Sequence, residues 1–233
     1  MGELVTISEA DYKDYPGAKI LINRVQALER DQELRAQIRA VFGNRHLWFL
    51  CLTISLIICQ LIGTSSAFTA SFSYWIFLYG LFYGSYWPPI EEIFNQNGVD
   101  LYDLGTYYAT GDPKRLLLVA KWDHRVVGTL AFRESSDDKT VKLWRMFVDP
   151  EFRRKGIASL LIDILVKVAK ARVFKKIQLR THGSNRHGIA CYLKNGFELA
   201  GESIFSRILH IEYSVIEMEL DLAIVTKSEN HPN

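Results

Sequence analysis

The sequence predicts an α/β (α+β) fold in which short strands alternate with amphipathic helices, and three observations support this prediction. Residues 143–171 (LWRMFVDPEFRRKGIASLLIDILVKVAKA) combine a strand, an Asp-Pro turn, a basic loop and a long amphipathic helix. Runs such as RLLLVAKW at 115–122 and KIQLRT at 176–181 predict further strands. The 233-residue chain also contains an uncharged run at 47–90, so we expect one domain with an inserted segment.

The remaining elements follow from local patterns of apolar, capping and turn residues. In chain order we expect a strand at 4–7, a helix start at 8–11, an amphipathic helix at 24–42, short helices at 90–95 and 101–108, a hairpin of strands at 115–122 and 126–133, a strand at 141–148, a helix ending near 171, a strand at 176–181, a helix at 187–194, and strands at 197–205 and 208–222. The polar tail at 225–233 is expected to be disordered.

Composition excludes several classes of function. The net charge of +2, with basic residues scattered outside one loop, does not favour nucleic acid as a partner. Three cysteines do not form a disulfide framework. No Cys/His cluster has the spacing of metal ligands, so we expect no metal.

The basic loop ahead of the long helix predicts a site for phosphate groups. Arg153, Arg154 and Lys155 cluster just before the first helical turn, and Gly156 lets the backbone approach a ligand without a Cβ in the way. The free N–H groups of the helix start point to the same place, with the positive end of the helix dipole behind them. Together these features predict a pyrophosphate cradle.

Two motifs carry a resemblance to a known family. Arg153-x-x-Gly156-x-Ala158 resembles the acetyl-CoA motif Q/R-x-x-G-x-G/A of the GNAT acetyltransferases. A second block resembles the family's N-x-x-A-x-x-L-Y-x-x-x-G-F motif, with Gly188 in place of the usual Ala: Asn185, Gly188, Cys191, Tyr192, Gly196 and Phe197. The resemblance covers about residues 100–222. It implies the GNAT fold, with a mixed, mostly antiparallel central sheet flanked by helices, and an N-acetyltransferase that uses acetyl-CoA as co-substrate.

The resemblance also implies where acetyl-CoA binds. The strands at 141–148 and 176–181 are expected to diverge, with the pantetheine arm in the gap between them. Backbone amides of the loop are expected to hold the pyrophosphate. The implied cofactor-binding residues are Met146, Phe147, Val148, Arg153, Arg154, Lys155, Gly156, Ile157, Ala158, Ser159 and Asn185.

Attack on a thioester needs a neutral amine, a group that accepts its proton, and a group that protonates the leaving thiolate. Tyr192 matches the family's general acid. Many family members have a catalytic carboxylate on the central strand, whereas residues 141–148 contain none. His182, directly after the second diverging strand, is therefore the predicted base. A base acting through water and Glu134 stay open as alternatives.

Arg145 is the candidate for binding the acceptor. An arginine inside an apolar strand is costly unless its charge has a partner. If its guanidinium faces the acceptor pocket, it would pair with a carboxylate of the substrate. The alternative is a side chain that extends to the edge of the sheet and reaches water there.

The uncharged run predicts a membrane hairpin. Blocks at 47–62 and 67–87 are separated by Gly63-Thr64-Ser65-Ser66, and the whole run at about 1.5 Å per residue is roughly twice a hydrocarbon core of about 30 Å. Two crossings are expected, or one crossing with a re-entrant block. Arginines before the run and Glu91 and Glu92 after it predict a cytosolic N-terminus. The predicted divisions are therefore 1–46, 47–90, 91–224 and 225–233.

An inserted membrane segment resembles the camello-like, membrane-bound branch of the family. That branch includes cysteine-S-conjugate N-acetyltransferase, N-acetylaspartate synthase, and enzymes that acetylate lysines of secretory-pathway proteins. The expected acceptor is a small amino acid or a cysteine conjugate, with protein lysine as the alternative. A scaffold that binds CoA without turnover is the non-enzymatic alternative. The expected location is the endoplasmic reticulum membrane, with the lipid bilayer as a partner and the catalytic domain in the cytosol.

Overall fold

The computed structural model describes residues 5–43, 45–62, 69, 72–77, 79–80, 99–137, 139–208 and 211–223. The strands are β1 Thr6–Glu9, β2 Arg115–Trp122, β3 Arg125–Glu134, β4 Thr140–Val148, β5 Lys176–His182, β6 Glu198–Ile208 and β7 Ile211–Asp221. The helices are α1 Tyr15–Gly43, α2 Arg45–Ile62, α3 Val99–Tyr102, α4 Leu104–Tyr107, α5 Ile157–Ala171 and α6 Arg186–Lys194, with a 3-10 turn at Pro150–Phe152.

In the described part of the chain the strands form one seven-stranded sheet in the order β1-β2-β3-β4-β5-β7-β6. Neighbouring strands from β1 to β4 are antiparallel, as are β5 and β7. The pair β4 and β5 is parallel, because α5 carries the chain back across the sheet between them. The predicted mixed, mostly antiparallel sheet flanked by helices is confirmed.

Alternate side chains of β2 point to opposite faces of the sheet, and one helix packs on each face. Leu116 and Leu118 belong to the cluster that packs against α5, whereas Leu117 and Val119 pack against α1. The face of α5 that is buried in this way contains Ile157, Leu161, Ile162, Leu165 and Ala169. The amphipathic pattern of α5 therefore fixes how the loop before it meets the sheet.

Two boundaries differ from the prediction. A helix start was expected at 8–11, but Thr6–Glu9 pairs with β2 and the helix begins at Tyr15. Pairing with a neighbouring strand outweighs the local capping pattern here. The short helix expected at 101–108 is two helices, because Asp103 has an extended backbone and caps α4 by accepting a hydrogen bond from the Thr106 amide. The helix expected at 90–95 lies outside the described residues.

The predicted membrane hairpin is not present among the described residues. Helix α2 has 18 residues and is about 27 Å long, against a hydrocarbon core of about 30 Å. Among the helices of the described ranges, none combines the length and apolar character that a membrane crossing requires. This finding contradicts the prediction of an integral membrane protein of the endoplasmic reticulum. The turn at 63–66 and most of the block at 67–87 lie outside the described residues.

The chain divides into two compact units. The first contains residues 1–29, 97–203 and 214–233, and the second contains 30–96 and 204–213. All residues predicted for the active site belong to the first unit. The boundaries predicted at 46, 90 and 224 stay predictions.

Candidate active site

The site begins where β4 and β5 stop pairing. These strands are joined in parallel from Thr140 with Lys176 to Lys142 with Gln178. Both strands continue beyond that point, β4 to Val148 and β5 to His182. Over those residues the described pairing joins β4 to β3 and β5 to β7. The predicted divergence of the two central strands is therefore present.

A β-bulge in β4 lies at this divergence. Thr129 pairs with Phe147 and Ala131 pairs with Trp144, so one residue of β3 faces two residues of β4, Arg145 and Met146. Arg145 has a φ of 51°, which is uncommon for a residue other than glycine. Its carbonyl accepts a hydrogen bond of 2.9 Å from the hydroxyl of the buried Thr129. The bulge bends β4 directly before Met146, Phe147 and Val148.

Arg145 is buried and paired with an acid. Only 9% of the residue is exposed, and its Nε and a terminal nitrogen donate to the two carboxylate oxygens of Asp100 at 2.9 and 2.7 Å. Asp100 is completely buried and also accepts from the Tyr108 hydroxyl at 3.0 Å, which in turn accepts from Trp144 Nε1 at 2.7 Å. This geometry favours a structural role for Arg145, since its charge already has a partner.

The loop before α5 has the backbone shape expected of a phosphate cradle. Arg154 and Gly156 both have positive φ, 63° and 80°, and Gly156 stands at the start of α5. A Cβ built on Gly156 meets nothing within 4 Å, so the space in front of this residue is open to a ligand. A pyrophosphate fits such a loop, because backbone N–H groups and a helix start converge there.

The side chains of the loop have separate contacts. Arg153 Nε donates to the Val148 carbonyl at 3.1 Å, so this arginine is held at the end of β4. Lys155 Nζ lies 4.7 Å from the ring centre of Phe152 and 5.4 Å from that of Trp122. The side chain of Ile157 is buried in the core, which leaves only its backbone for a ligand. The Ser159 hydroxyl accepts from the Asn195 amide at 3.2 Å.

Tyr192 is buried in α6 with its ring edge-on to Phe197 at 5.7 Å. Burial raises the pKa of this phenol well above its usual range, and the nearby Cys191 and Glu29 add to the effect. A phenol of this kind keeps its proton throughout the neutral range. It can therefore donate a hydrogen bond wherever negative charge develops near it.

Asn185 acts as the N-cap of α6. Its side-chain oxygen accepts from the Gly188 amide at 3.0 Å, and its side-chain nitrogen donates to the Thr181 hydroxyl at 3.0 Å. A Cβ on Gly188 would lie 2.4 Å from that nitrogen. The glycine that departs from the family motif is thus the residue that makes room for this cap.

The two sequence candidates for the base lie at different heights in the sheet. His182 is the last residue of β5, on the part of that strand that continues beyond its pairing with β4. Glu134 pairs with Val141 and forms an ion pair with Lys114 at 3.6 Å. Val141 is about 20 Å along β4 from Phe147. Glu134 is therefore too far from Phe147 to accept a proton from an amine bound at that end of β4.

The structure adds one carboxylate that the sequence analysis did not single out. Glu29 of α1 is half-buried, with Oε1 3.7 Å from a terminal nitrogen of Arg153. Burial raises the pKa of Glu29, and the Arg153 guanidinium opposes that rise. The sequence gives no sign of this contact for two reasons. Glu29 belongs to a run of charged residues, which usually indicates a solvated helix face, and Arg153 lies 124 positions further along the chain.

Comparison with known proteins then identifies the fold family. The model of the "Acetyltransferase (GNAT) family" matches residues 81–197, half of the chain. The chain belongs to the GNAT acetyltransferase family. Enzymes of this family use acetyl-CoA as co-substrate, so the predicted family, enzyme class and co-substrate are confirmed.

Two curated GNAT relatives show how far the similarity extends. N-acetyltransferase 8 of Homo sapiens is 31% identical over 91 residues, which cover 37% of this chain and 40% of the relative. N-acetylaspartate synthetase of Rattus norvegicus is 31% identical over 133 residues, covering 49% of this chain and 43% of the relative. The matches thus span about two fifths of the length of these curated relatives. N-acetylaspartate synthetase is a member of the branch that the sequence resembles.

Solved GNAT structures are also similar. The putative streptothricin acetyltransferase from Bacillus anthracis str. Ames in complex with acetyl coenzyme A has a TM-score of 0.44 and 20% identity, covering 48% of this chain and 64% of that chain. The IAA acetyltransferase from Bacillus cereus ATCC 14579 has a TM-score of 0.42 and 24% identity, covering 46% of this chain and 78% of that chain.

In the residues described for this GNAT chain, no group of three or more His, Cys, Asp or Glu side chains could hold a metal ion. The residues missed by sequence reasoning are Asp100 and Glu29. A buried arginine requires a partner, so a counter-charge for Arg145 could be expected. Nothing near Arg145 in the sequence indicates that this partner is Asp100, which lies 45 positions away.

Proposed function

We propose that the protein transfers the acetyl group of acetyl-CoA to a primary amine by direct attack of the amine. The observation that carries the proposal is the loop at residues 153–156, which has an open glycine of positive φ at the start of α5. This loop follows β4, the strand that diverges from β5, after the 3-10 turn at Pro150–Phe152. Together they offer a phosphate site beside a strand edge, as binding of a long nucleotide thioester requires.

Different residues would bind the pyrophosphate and the pantetheine arm of acetyl-CoA. Loop amides from Arg154 to Ala158, with the charges of Arg153 and Lys155, would hold the pyrophosphate. The backbone of Met146, Phe147 and Val148 would hold the pantetheine arm. Ser159 and Asn185 would contribute through groups that also bond Asn195 and Thr181. Acetyl-CoA supplies an acetyl thioester when bound.

Tyr192 is the proposed acid. Because burial raises the pKa of its phenol, the hydroxyl stays protonated and can donate to a sulfur that becomes negative. His182, the last residue of β5, is the proton acceptor that the sequence predicts.

The acceptor that we propose is a small amino acid or a cysteine conjugate. The name of one relative, N-acetylaspartate synthetase, gives an acetylated small amino acid as its product. Asp100 already bonds two nitrogens of the Arg145 guanidinium, so an acceptor carboxylate would compete with Asp100 for this arginine. A protein lysine is the alternative acceptor, and the experiment below separates the two.

The test is a mass-spectrometric screen of the purified protein with acetyl-CoA. The panel contains free amino acids, cysteine conjugates and lysine peptides, and free thiol is measured in parallel. We expect an N-acetylated product of a small amine, with one CoA released for each product. Thermal stabilisation by acetyl-CoA without any product would instead indicate a scaffold that binds CoA.

Tyr192→Phe tests the assigned acid. The change keeps the buried ring but removes the hydroxyl, so we expect kcat to fall by roughly 100-fold with little change in the Kd for acetyl-CoA. Tyr102→Phe is the matched control, because Tyr102 is 86% exposed. A Tyr192→Phe protein with the wild-type kcat would remove Tyr192 from the mechanism.

A further inference from the structure

Two hydrogen bonds show how the backbone of β3 faces β4. The Ser135 amide donates to the Thr140 carbonyl at 2.8 Å, and the Asp149 amide donates to the Val127 carbonyl at 2.9 Å. In an antiparallel pair, hydrogen-bonded residues alternate with residues whose backbone groups point to the other edge of the strand. Between these two bonds, the odd-numbered residues of β3 therefore point to β4, and their partners in β4 point back to β3.

The bulge changes which residues of β4 point to the gap between β4 and β5. Trp144 before the bulge and Phe147 beyond it are the partners of odd-numbered residues of β3. Their backbone groups point to β3, whereas those of Met146 and Val148 point to the opposite edge, where the described pairing with β5 has ended. A strand without the bulge would instead turn Phe147 to the gap, and Met146 and Val148 to β3.

The bulge also decides the face of the sheet on which Arg145 lies. Leu143 and Met146 both pack in the core cluster that contains α5. Strict alternation along β4 would place Arg145 on the same face as Leu143. Its side chain binds Asp100 instead, in the network with Trp144, which packs with α1 on the opposite face. Without the bulge the guanidinium would enter an apolar core, so the pair with Asp100 favours the bulged register.

Thr129 holds the backbone of the same residue. It is completely buried in β3, and its hydroxyl donates to the Arg145 carbonyl at 2.9 Å. Arg145 has a φ of 51°, a conformation that is costly for a residue with a Cβ and persists only where its surroundings hold it. Arg145 is thus held at two points, its side chain by Asp100 and its carbonyl by Thr129.

We propose that Thr129 is a positioning residue for acetyl-CoA. Its hydroxyl holds the left-handed backbone of Arg145 and thereby keeps the backbone groups of Met146 and Val148 turned to the gap. This inference rests on the proposed function, in which that edge of β4 binds the pantetheine arm. Because Thr129 is completely buried, it acts through Arg145 and not by contact with the ligand.

Binding of two ligands tests this role. Acetyl-CoA is titrated by calorimetry into the wild type and Thr129→Val, which keeps the shape of the side chain but cannot donate. ADP, measured by its competition with acetyl-CoA, carries a pyrophosphate for the loop at residues 153–156 but no pantetheine arm. We expect the Kd for acetyl-CoA to rise by roughly 3- to 10-fold, the effect of one lost hydrogen bond, and that for ADP to stay unchanged. An unchanged Kd for acetyl-CoA, or equal losses for both ligands, would overturn the inference.

Thr140→Val is the matched control. Thr140 is also a buried threonine of this sheet, and its hydroxyl donates to the Asp137 carboxylate at 2.7 Å at the opposite end of β4. Both valine variants should lower the free energy of unfolding in urea, but only Thr129→Val should weaken acetyl-CoA binding. An equal loss of affinity in Thr140→Val would mean that any weakened sheet binds poorly, and the positioning role would fail.

Thr129→Ser adds a test by rescue. Serine keeps the hydroxyl, so this variant should bind acetyl-CoA like the wild type. A Kd as high as that of Thr129→Val would show that the methyl group matters and not the hydrogen bond, which would refute the proposal.

Amide hydrogen exchange, followed by NMR, locates the effect in the protein without ligand. The Phe147 amide points to β3 only in the bulged register, so it should exchange faster in Thr129→Val and at the wild-type rate in Thr129→Ser. Weaker binding with unchanged exchange at Phe147 would contradict an action through the bulge. If the wild type does not bind acetyl-CoA, the proposed function fails; if it binds with the same Kd as Thr129→Val, only the positioning role fails.

Discussion

Replacing Asp100 by Asn should destabilise the protein strongly. Asp100 is completely buried and binds Arg145 through both carboxylate oxygens, at 2.9 and 2.7 Å. The substitution keeps the shape of the side chain but leaves the buried guanidinium without its counter-charge. Loss of one partner of a buried ion pair costs about 3–5 kcal/mol. Since a domain has a total stability of about 5–15 kcal/mol, this cost is a large part of it.

Urea unfolding measures the effect directly. Trp144 donates to Tyr108 in the same hydrogen-bonded network, so it contributes to the fluorescence change on unfolding together with the other four tryptophans of the chain. Asp103→Asn is the control, because Asp103 is an exposed helix cap three positions away and asparagine caps as well as aspartate. Its free energy of unfolding should stay close to that of the wild type.

Two further variants decide between the roles of Arg145. Arg145→Met should cost a similar free energy, and the double variant Asp100→Leu/Arg145→Met should recover much of it, because apolar residues often replace a buried pair without loss. A role in binding an acceptor carboxylate would instead raise KM for that acceptor by roughly 10- to 100-fold. A cost for Asp100→Asn below about 1 kcal/mol would mean that the pair is solvated and the reasoning wrong.

Two other predictions concern glycines. Gly156→Asp brings a carboxylate into the open space before α5, so calorimetry should show acetyl-CoA binding weakened by roughly 10- to 100-fold or more. The control Gly111→Asp is also at positive φ with open space around it and should leave acetyl-CoA binding intact. Equal losses of binding in both variants would mean that backbone strain alone is responsible. Asn185→Ala should lower the free energy of unfolding by about 1 kcal/mol, because a helix cap is lost. This cost should vanish in a Gly188→Ala background, where the new Cβ has already displaced the Asn185 side chain. Additive costs in urea unfolding would contradict the close contact between residue 188 and the Asn185 side chain.

The sequence predicts the elements whose pattern is local. The apolar stripe of α5 and the alternating strands β2 to β5 are found close to their predicted bounds. In the loop at residues 153–156, Gly156 has a positive φ of 80°, a conformation that glycine adopts without the steric cost of a Cβ.

Other features depend on contacts between distant parts of the chain. The left-handed backbone of Arg145 requires the register of β3 and β4, and no residue type in β4 signals it. Asp100 and Glu29 reach the site from segments 45 and 124 positions away from their arginines. The membrane prediction failed for a different reason: it rested on the absence of charge over residues 47–90, whereas none of the described helices has both the length and the apolar character of a membrane crossing.

The short pairing of β4 and β5, three residue pairs long, has a consequence for local stability. Beyond those pairs, the described pairing joins β4 to β3 and β5 to β7, so no β4–β5 hydrogen bonds protect the end of β4. Backbone segments with fewer hydrogen-bonded neighbours open at lower free energy than the centre of a sheet. A ligand that binds the folded state adds about 2.7 kcal/mol to its stability at 100 times its Kd. Hydrogen exchange should therefore slow most at the amides of Met146 to Val148 when acetyl-CoA binds.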